Sequence, residues 1–278
     1  MKIIEISEIA IENYPYWIVK KGGIDKNGNQ TIQEVDLPIF LGKIAHLGEN
    51  LDAIIATSDL QGIVKHDDKE YLLGEKLPEF LSIYLELEFP KLDKNRIGIL
   101  LCGDLYANLE KRGVGGNVQN IWREFNKYFK WVVGVAGNHD DFGNIHEFNA
   151  FRNEQNIYYL HKDIQKIDRL NFGGISGIIG RSDKPQRVEE KEYLMSLKKM
   201  LLKQPSSILL HQSPDVKAED LEGNEAIRKV IESSPQNLIF CGHSHWNKQL
   251  VVLENGTQIV NLDGKVLVLI NDTLTGQK

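Results

Sequence analysis

The stretch WVVGVAGNHD, residues 131–140, runs from a block of branched and aromatic apolar residues straight into a cluster of polar groups. An apolar run of that length, closed by a Gly-Asn turn signal, predicts a strand buried on both faces. Its C-terminal end then delivers Asn138, His139 and Asp140 to one place. The same form recurs in AIIATSD (53–59), IGILLCGD (97–104), SSILLHQ (206–212) and NLIFCGHSH (237–245). Five strand ends thus present Asp59, Asp104, Asn138 with His139, His211, and His243 with His245.

Helical periodicity fills the intervals. Val118, Ile121, Trp122, Phe125 and Phe129 recur at three- and four-residue steps, with Asn117 placed to cap the start. From about Val188 to Leu202 a second pattern sets Leu194, Leu197 and Leu201 on one stripe. In the tail, KQLVVLENGTQIVNLDGKVLVLIND carries Asn255-Gly256 and Asp263-Gly264 between apolar runs, which predicts consecutive hairpins. Residues 1–52 are less patterned: a hairpin is expected around Asp25 to Asn29 and a short helix near Leu41 to Leu47, within an N-terminal extension packed on a 53–278 core. Strands alternating with helices and then hairpins predict an α/β layered sandwich, with its loops gathered at one edge of the sheets.

The residues at that edge form a mixed oxygen and imidazole set. Carboxylate and amide oxygens suit hard divalent ions such as Mn or Mg, and imidazole suits Zn, Fe and Ni, so the set selects no single metal. Asp104 can bridge two cations through its two oxygens. In His243-Ser244-His245 an extended backbone would send the rings to opposite faces, whereas a loop lets both reach neighbouring metals.

S-D-L-Q-G, G-D, G-N-H-D, a lone His after an apolar strand, and G-H-S-H stand in the order found in the calcineurin-like metallophosphoesterases, and the chain resembles that family over roughly residues 53–265. G-G-I-S-G at 173–177 and V-N-L-D-G at 260–264 support the resemblance. It implies a four-layer αββα sandwich with two mixed β-sheets and a site for two divalent metal ions. By position, Asp59 and His245 would hold one metal, Asn138, His211 and His243 the other, and Asp104 would bridge. His139 would serve as leaving-group acid beside the metals, with Asp140 either orienting it, capping a helix or holding an outer hydrogen bond. The family's first motif is Asp-x-His, but here it reads Asp59-Leu60-Gln61. Gln61 offers an oxygen in place of imidazole, a weaker and harder donor, which favours Mn or Mg there and allows a one-metal site.

Composition narrows the partners. The 278 residues are 41% hydrophobic and carry a formal charge of −6, enough apolar content for a large core and too little positive charge to favour nucleic acid. No apolar stretch is long enough for a bilayer span, and MKIIEISEIAIENYPYW does not read as a signal peptide. Cys102 and Cys241 read as buried thiols, which suits a cytoplasmic protein. The HDDKE run at 66–70 reads as an exposed loop. His46, His146 and His161 lack partner motifs, and Arg181 and Arg187 read as loop residues able to clamp a phosphate. The expected activity is hydrolysis of a small phosphomonoester or phosphodiester. A nuclease of the same fold and a metal-binding scaffold without turnover are the rivals.

Overall fold

A computed structural model describes residues 1–24 and 30–275. The five apolar runs all form strands, Ala53–Ser58, Ile97–Leu101, Trp131–Gly134, Ser207–Gln212 and Leu238–Gly242. Continuous apolar sequence is explained by what lies on each face. Along Ala53–Ser58, Ala53 and Ile55 enter one core while Ile54 and Ala56 enter another. Along Ser207–Gln212, Leu209 joins the second core while Ile208 and Leu210 join a third. Side chains alternate across a strand, so a strand with cores on both faces needs an apolar residue at every position.

The larger sheet orders its strands as Ile157–Tyr159, Trp131–Gly134, Ile97–Leu101, Ala53–Ser58, Lys265–Asn271, Gln30–Ala45, Glu12–Ile24, Ile63–His66 and Lys69–Leu72, with Lys2–Ile6 paired to Gln30–Ala45. The first four run parallel, and Lys265–Asn271 is antiparallel to Ala53–Ser58 and parallel to Gln30–Ala45. In the second sheet Asp163–Ile167, Leu170–Ile175, Ser207–Gln212, Leu238–Gly242, Gln258–Asn261 and Leu250–Val252 follow in order, with a parallel centre and antiparallel edges. Both sheets are mixed. Helices Leu73–Glu88 and Gln119–Tyr128 pack into the first core, and Glu190–Leu201 and Glu225–Glu232 into the third. The second core draws Leu100 and Leu267 from one sheet and Phe172, Leu209 and Phe240 from the other, so the two sheets pack on each other.

Three local expectations need correction. Residues expected as a helix near Leu41 to Leu47 lie mostly in the strand Gln30–Ala45. Phe40 and Ile44 sit in the core shared by the sheets while Ile39 faces the helices, so two-sided burial overrides the three- and four-residue spacing. Asn255-Gly256 does close a hairpin, because Leu250–Val252 and Gln258–Asn261 pair antiparallel. Asp263-Gly264 does not: it carries the chain from Gln258–Asn261 in the second sheet to Lys265–Asn271 in the first. Helix Gln119–Tyr128 has Val118 at its cap, and Asn117 reaches in from one residue earlier, its Oδ1 accepting from Gln119 N at 2.9 Å. Glu12–Ile24 and Gln30–Ala45 pair antiparallel, and the hairpin expected around Asp25 to Asn29 lies outside the described residues.

Candidate metal centre

The parallel strands of both sheets end at one edge, and the backbone turns sharply there. Asp59, Asp104 and His243 take φ of 55°, 53° and 70°. Left-handed backbone at residues other than glycine costs about 1–3 kcal/mol each, and here it turns the chain just beyond three strand ends. Asp104, His211 and His243 each offer a ligand atom, and these atoms lie within 4.8 Å of one another.

His211 is wholly buried at the end of Ser207–Gln212. Its Nδ1 donates to the Cys102 carbonyl at 2.7 Å, which aims Nε2 at the cluster. Nε2 lies 3.4 Å from Asp104 Oδ2 but makes no hydrogen bond, and Asn138 Oδ1 is likewise buried without a partner. An orphan such as Asn138 Oδ1 costs about 1–3 kcal/mol, whereas His211 Nε2 keeps an ion-pair contact with Asp104. The clustered His211 and His243 imidazoles and Asp104 carboxylate, with an amide oxygen to spare on Asn138, make a donor set that fits a divalent cation.

Charge in the centre points the same way. Burial pushes Asp59 up to about 8, with Asp263 and Asp104 adding repulsion. Burial alone would raise Asp104 too, but His211 and the His139 backbone N–H bring it down to about 2. His211 is pushed up to about 10, because Asp104 and Asp59 outweigh the burial that opposes its charge. His243, half-buried and repelled by His211 and Arg187, falls to about 4. Without a cation, protons on His211 and Asp59 supply the positive charge the pocket demands.

The residues named from the first motif and the last histidine are arranged more loosely. Asp59 Oδ2 accepts from His243 N at 2.9 Å and from Ser58 Oγ at 2.7 Å. Gln61 turns its amide nitrogen to the cluster, Nε2 donating to Asp104 Oδ2 at 3.2 Å, so it is the donor and not the oxygen that faces the carboxylate. The His245 side chain is 82% exposed, and its Nδ1 lies 2.8 Å from Asp263 Oδ2, a carboxylate that orients the ring. Asp59, Gln61, His245 and Asp263 line one groove, apart from the tight Asp104, His211 and His243 group. Asp263 stands in the sequence as half of a turn and inside the V-N-L-D-G motif, but neither assigned it a role at the site.

His139 lies beside this group, its backbone N–H donating to Asp104 Oδ1 at 2.8 Å. Asp140 does not orient it. The buried Asp140 carboxylate accepts from Asp104 N at 2.9 Å, Leu105 N at 2.7 Å and Gly137 N at 2.8 Å, and among the described residues none of its bonds reaches the His139 ring. Asp140 therefore ties the loop after Ile97–Leu101 to the loop after Trp131–Gly134. Burial and the Asp104 charge hold its pKa up at about 6. Arg187 is close enough to His243 to depress its pKa, while Arg181 is bound to Asp183 at 2.5 Å. His66 pairs with Asp67 at 3.4 Å on an exposed turn, away from the centre. Both cysteines are buried free thiols.

Comparison with known proteins agrees with this edge of the fold. A protein described as "Uncharacterized protein MJ1162", from Methanocaldococcus jannaschii, is 26% identical over 176 residues, which span 58% of this chain and 74% of that protein. The solved structure titled "The Crystal Structure of the Protein of Unknown Function AQ665 from Aquifex aeolicus" is 14% identical and covers 78% of this chain and 95% of its own, but a TM-score of 0.31 lends it no weight. The family described as "Calcineurin-like phosphoesterase" matches residues 53–247. That span runs from the strand that leads to Asp59 through both histidines of G-H-S-H, and on it the chain belongs to the calcineurin-like phosphoesterases.

Proposed function

We propose that this centre hydrolyses small phosphate esters, with Asn138, His211 and His243 holding one divalent cation, Asp59 and His245 holding a second, and Asp104 shared between them. The observation that carries this reading is the cluster of ligand atoms offered by Asp104, His211 and His243, all within 4.8 Å of one another. Bound cations supply Lewis-acid charge and lower the pKa of water toward neutrality. The protein's own residues do the rest. His139 stands where its backbone is pinned to Asp104, and its ring donates a proton to the oxygen that leaves phosphorus. Asp140 fixes the loops that carry Asp104 and His139. Arg187 adds positive charge on the His243 side, where a phosphoryl oxygen would lie.

The two cation positions differ in grip. One would draw on the buried His211 and Asp104 and on the buried Oδ1 of a half-exposed Asn138, and the other on an exposed His245 and on Gln61, whose amide nitrogen competes for Asp104. The first binds tightly and the second loosely, with Mn or Mg suiting the oxygen-rich second position. A small substrate is supported by the formal charge of −6 and by a groove of about 430 Å³ that opens beside Asp59 and His245. Among the described residues no helix is long and apolar enough to cross a membrane. The buried thiols are compatible with a reducing cytoplasm. The three cores and the sheet order support a four-layer αββα arrangement, in which the described residues of the 1–52 segment join the same structural unit. Asp104→Ala is expected to lose tight cation binding and ester hydrolysis together, and a variant that keeps both would remove Asp104 from the centre.

A further inference from the structure

The groove beside Asp59 and His245 is walled in part by residues that lie outside the matched family span. Trp17 and Asp36, outside that span, come from the N-terminal strand pair, and they face Tyr106 and Arg112 of the loop after Asp104, inside it, across the same groove. In the pairing of Glu12–Ile24 with Gln30–Ala45, Trp17 stands opposite Glu34 and Pro15 opposite Asp36. Facing residues share a side of the sheet, so Trp17 and Asp36 lie on one face, two positions apart. Trp17 is half-buried there, with Lys65 Nζ 5.2 Å from its ring centroid. Tyr106 is also half-buried, seated over Gly116, where an added Cβ would come within 2.3 Å of its ring. Arg112 is exposed and, among the described residues, its guanidinium has no carboxylate partner.

Two partly open aromatic rings and a free guanidinium are planar groups that stack on flat rings, and a carboxylate beside them accepts from a ring amine or a sugar hydroxyl. The groove volume of about 430 Å³ lies within the range that holds a ligand of nucleoside size. We infer that the N-terminal strand pair and the 106–112 loop form a ring-binding subsite, so that the favoured substrates are phosphate esters bearing a flat heteroaromatic group, as nucleotides do. The inference rests on the esterase reading for the position of the phosphate, at the Asp59 and His245 end of the groove.

Tryptophan fluorescence offers a readout that needs no turnover. Of the four tryptophans, Trp122, Trp131 and Trp246 are buried at 0%, 3% and 0% exposure, which leaves Trp17 as the one a ligand can reach. The probes are the phosphonate analogues of AMP and of ribose 5-phosphate, in which carbon replaces the ester oxygen and hydrolysis is blocked. Titrated into the Mn-loaded full chain, the adenine-bearing analogue is expected to bind at least about ten-fold more tightly than the ribose analogue and to quench Trp17. Calorimetry should show that preference falling toward one-fold in both Tyr106→Leu and Trp17→Leu, each checked for native circular dichroism. Equal affinity of the two analogues for the wild type, absence of binding by the adenine analogue, or a preference that survives Tyr106→Leu would overturn the subsite. Failure of the esterase reading would appear elsewhere, as absence of hydrolysis of generic esters with every metal.

Discussion

Asp140→Asn separates the two roles available to that carboxylate. In the structure Oδ2 accepts from Asp104 N and Gly137 N and Oδ1 accepts from Leu105 N. An asparagine keeps one oxygen, so its amide nitrogen must face at least one of these N–H groups. Set with its oxygen toward Asp104 and Gly137, it loses the Leu105 bond and leaves a buried donor facing a donor. Hydrogen bonds to a charged acceptor are worth about 1.5–3 kcal/mol, and an unsatisfied buried group costs about 1–3 kcal/mol. Relief of repulsion between Asp140 and Asp104 returns part of this. The net loss is about 2–4 kcal/mol, to be measured by urea unfolding of metal-free protein at pH 8, above the Asp140 pKa of about 6, where the wild-type carboxylate is ionised. An Asn variant as stable as the wild type, but slower only in turnover, would refute the clamp and return Asp140 to the imidazole.

Three further outcomes test the centre. Asp263→Asn should weaken the looser cation by about 10- to 100-fold while leaving the tighter one in place, as calorimetric stoichiometry would show, because it removes the carboxylate that orients His245. Gln61→His should strengthen that same cation by about ten-fold or more, with imidazole replacing an amide whose nitrogen now faces Asp104. Cation binding should release protons: Asp59 near 8 and His211 near 10 both carry a proton at pH 7 in the metal-free chain, and ligation requires them bare. Affinity therefore rises with pH, by up to about 100-fold per unit between pH 6 and 8 if both protons leave. Calorimetry in buffers of different ionisation enthalpy reads the number released, and a value of zero would contradict the charge balance.

Much of this edge was legible because the five strands are buried on both faces, so each appears as an unbroken apolar run that stops where chemistry begins. Sequence order then brings Asp59, Asp104, Asn138, His139, His211, His243 and His245 to neighbouring loops. Partner choice was not legible. Asp263-Gly264 has the residues of a hairpin turn, but which sheet receives the next strand depends on packing that a turn does not encode. The 41–47 segment has helical spacing, yet a strand with cores on both faces shows the same apolar positions. Asp140 could be placed beside His139 in sequence, whereas its three backbone partners come from two loops. Trp17 and Asp36 carry no motif, and only the pairing of two N-terminal strands sets them beside the groove.

The most direct test of the central claim is turnover of bis(p-nitrophenyl) phosphate and p-nitrophenyl phosphate by chelator-stripped protein with Mn, Mg, Zn, Fe or Ni restored, for the wild type and His139→Ala side by side. The account predicts metal-dependent hydrolysis by the wild type and a loss of about 10²- to 10⁴-fold in His139→Ala with its cations still bound. Tight cation binding without hydrolysis of either ester by the wild type, or undiminished turnover by metal-replete His139→Ala, would contradict it.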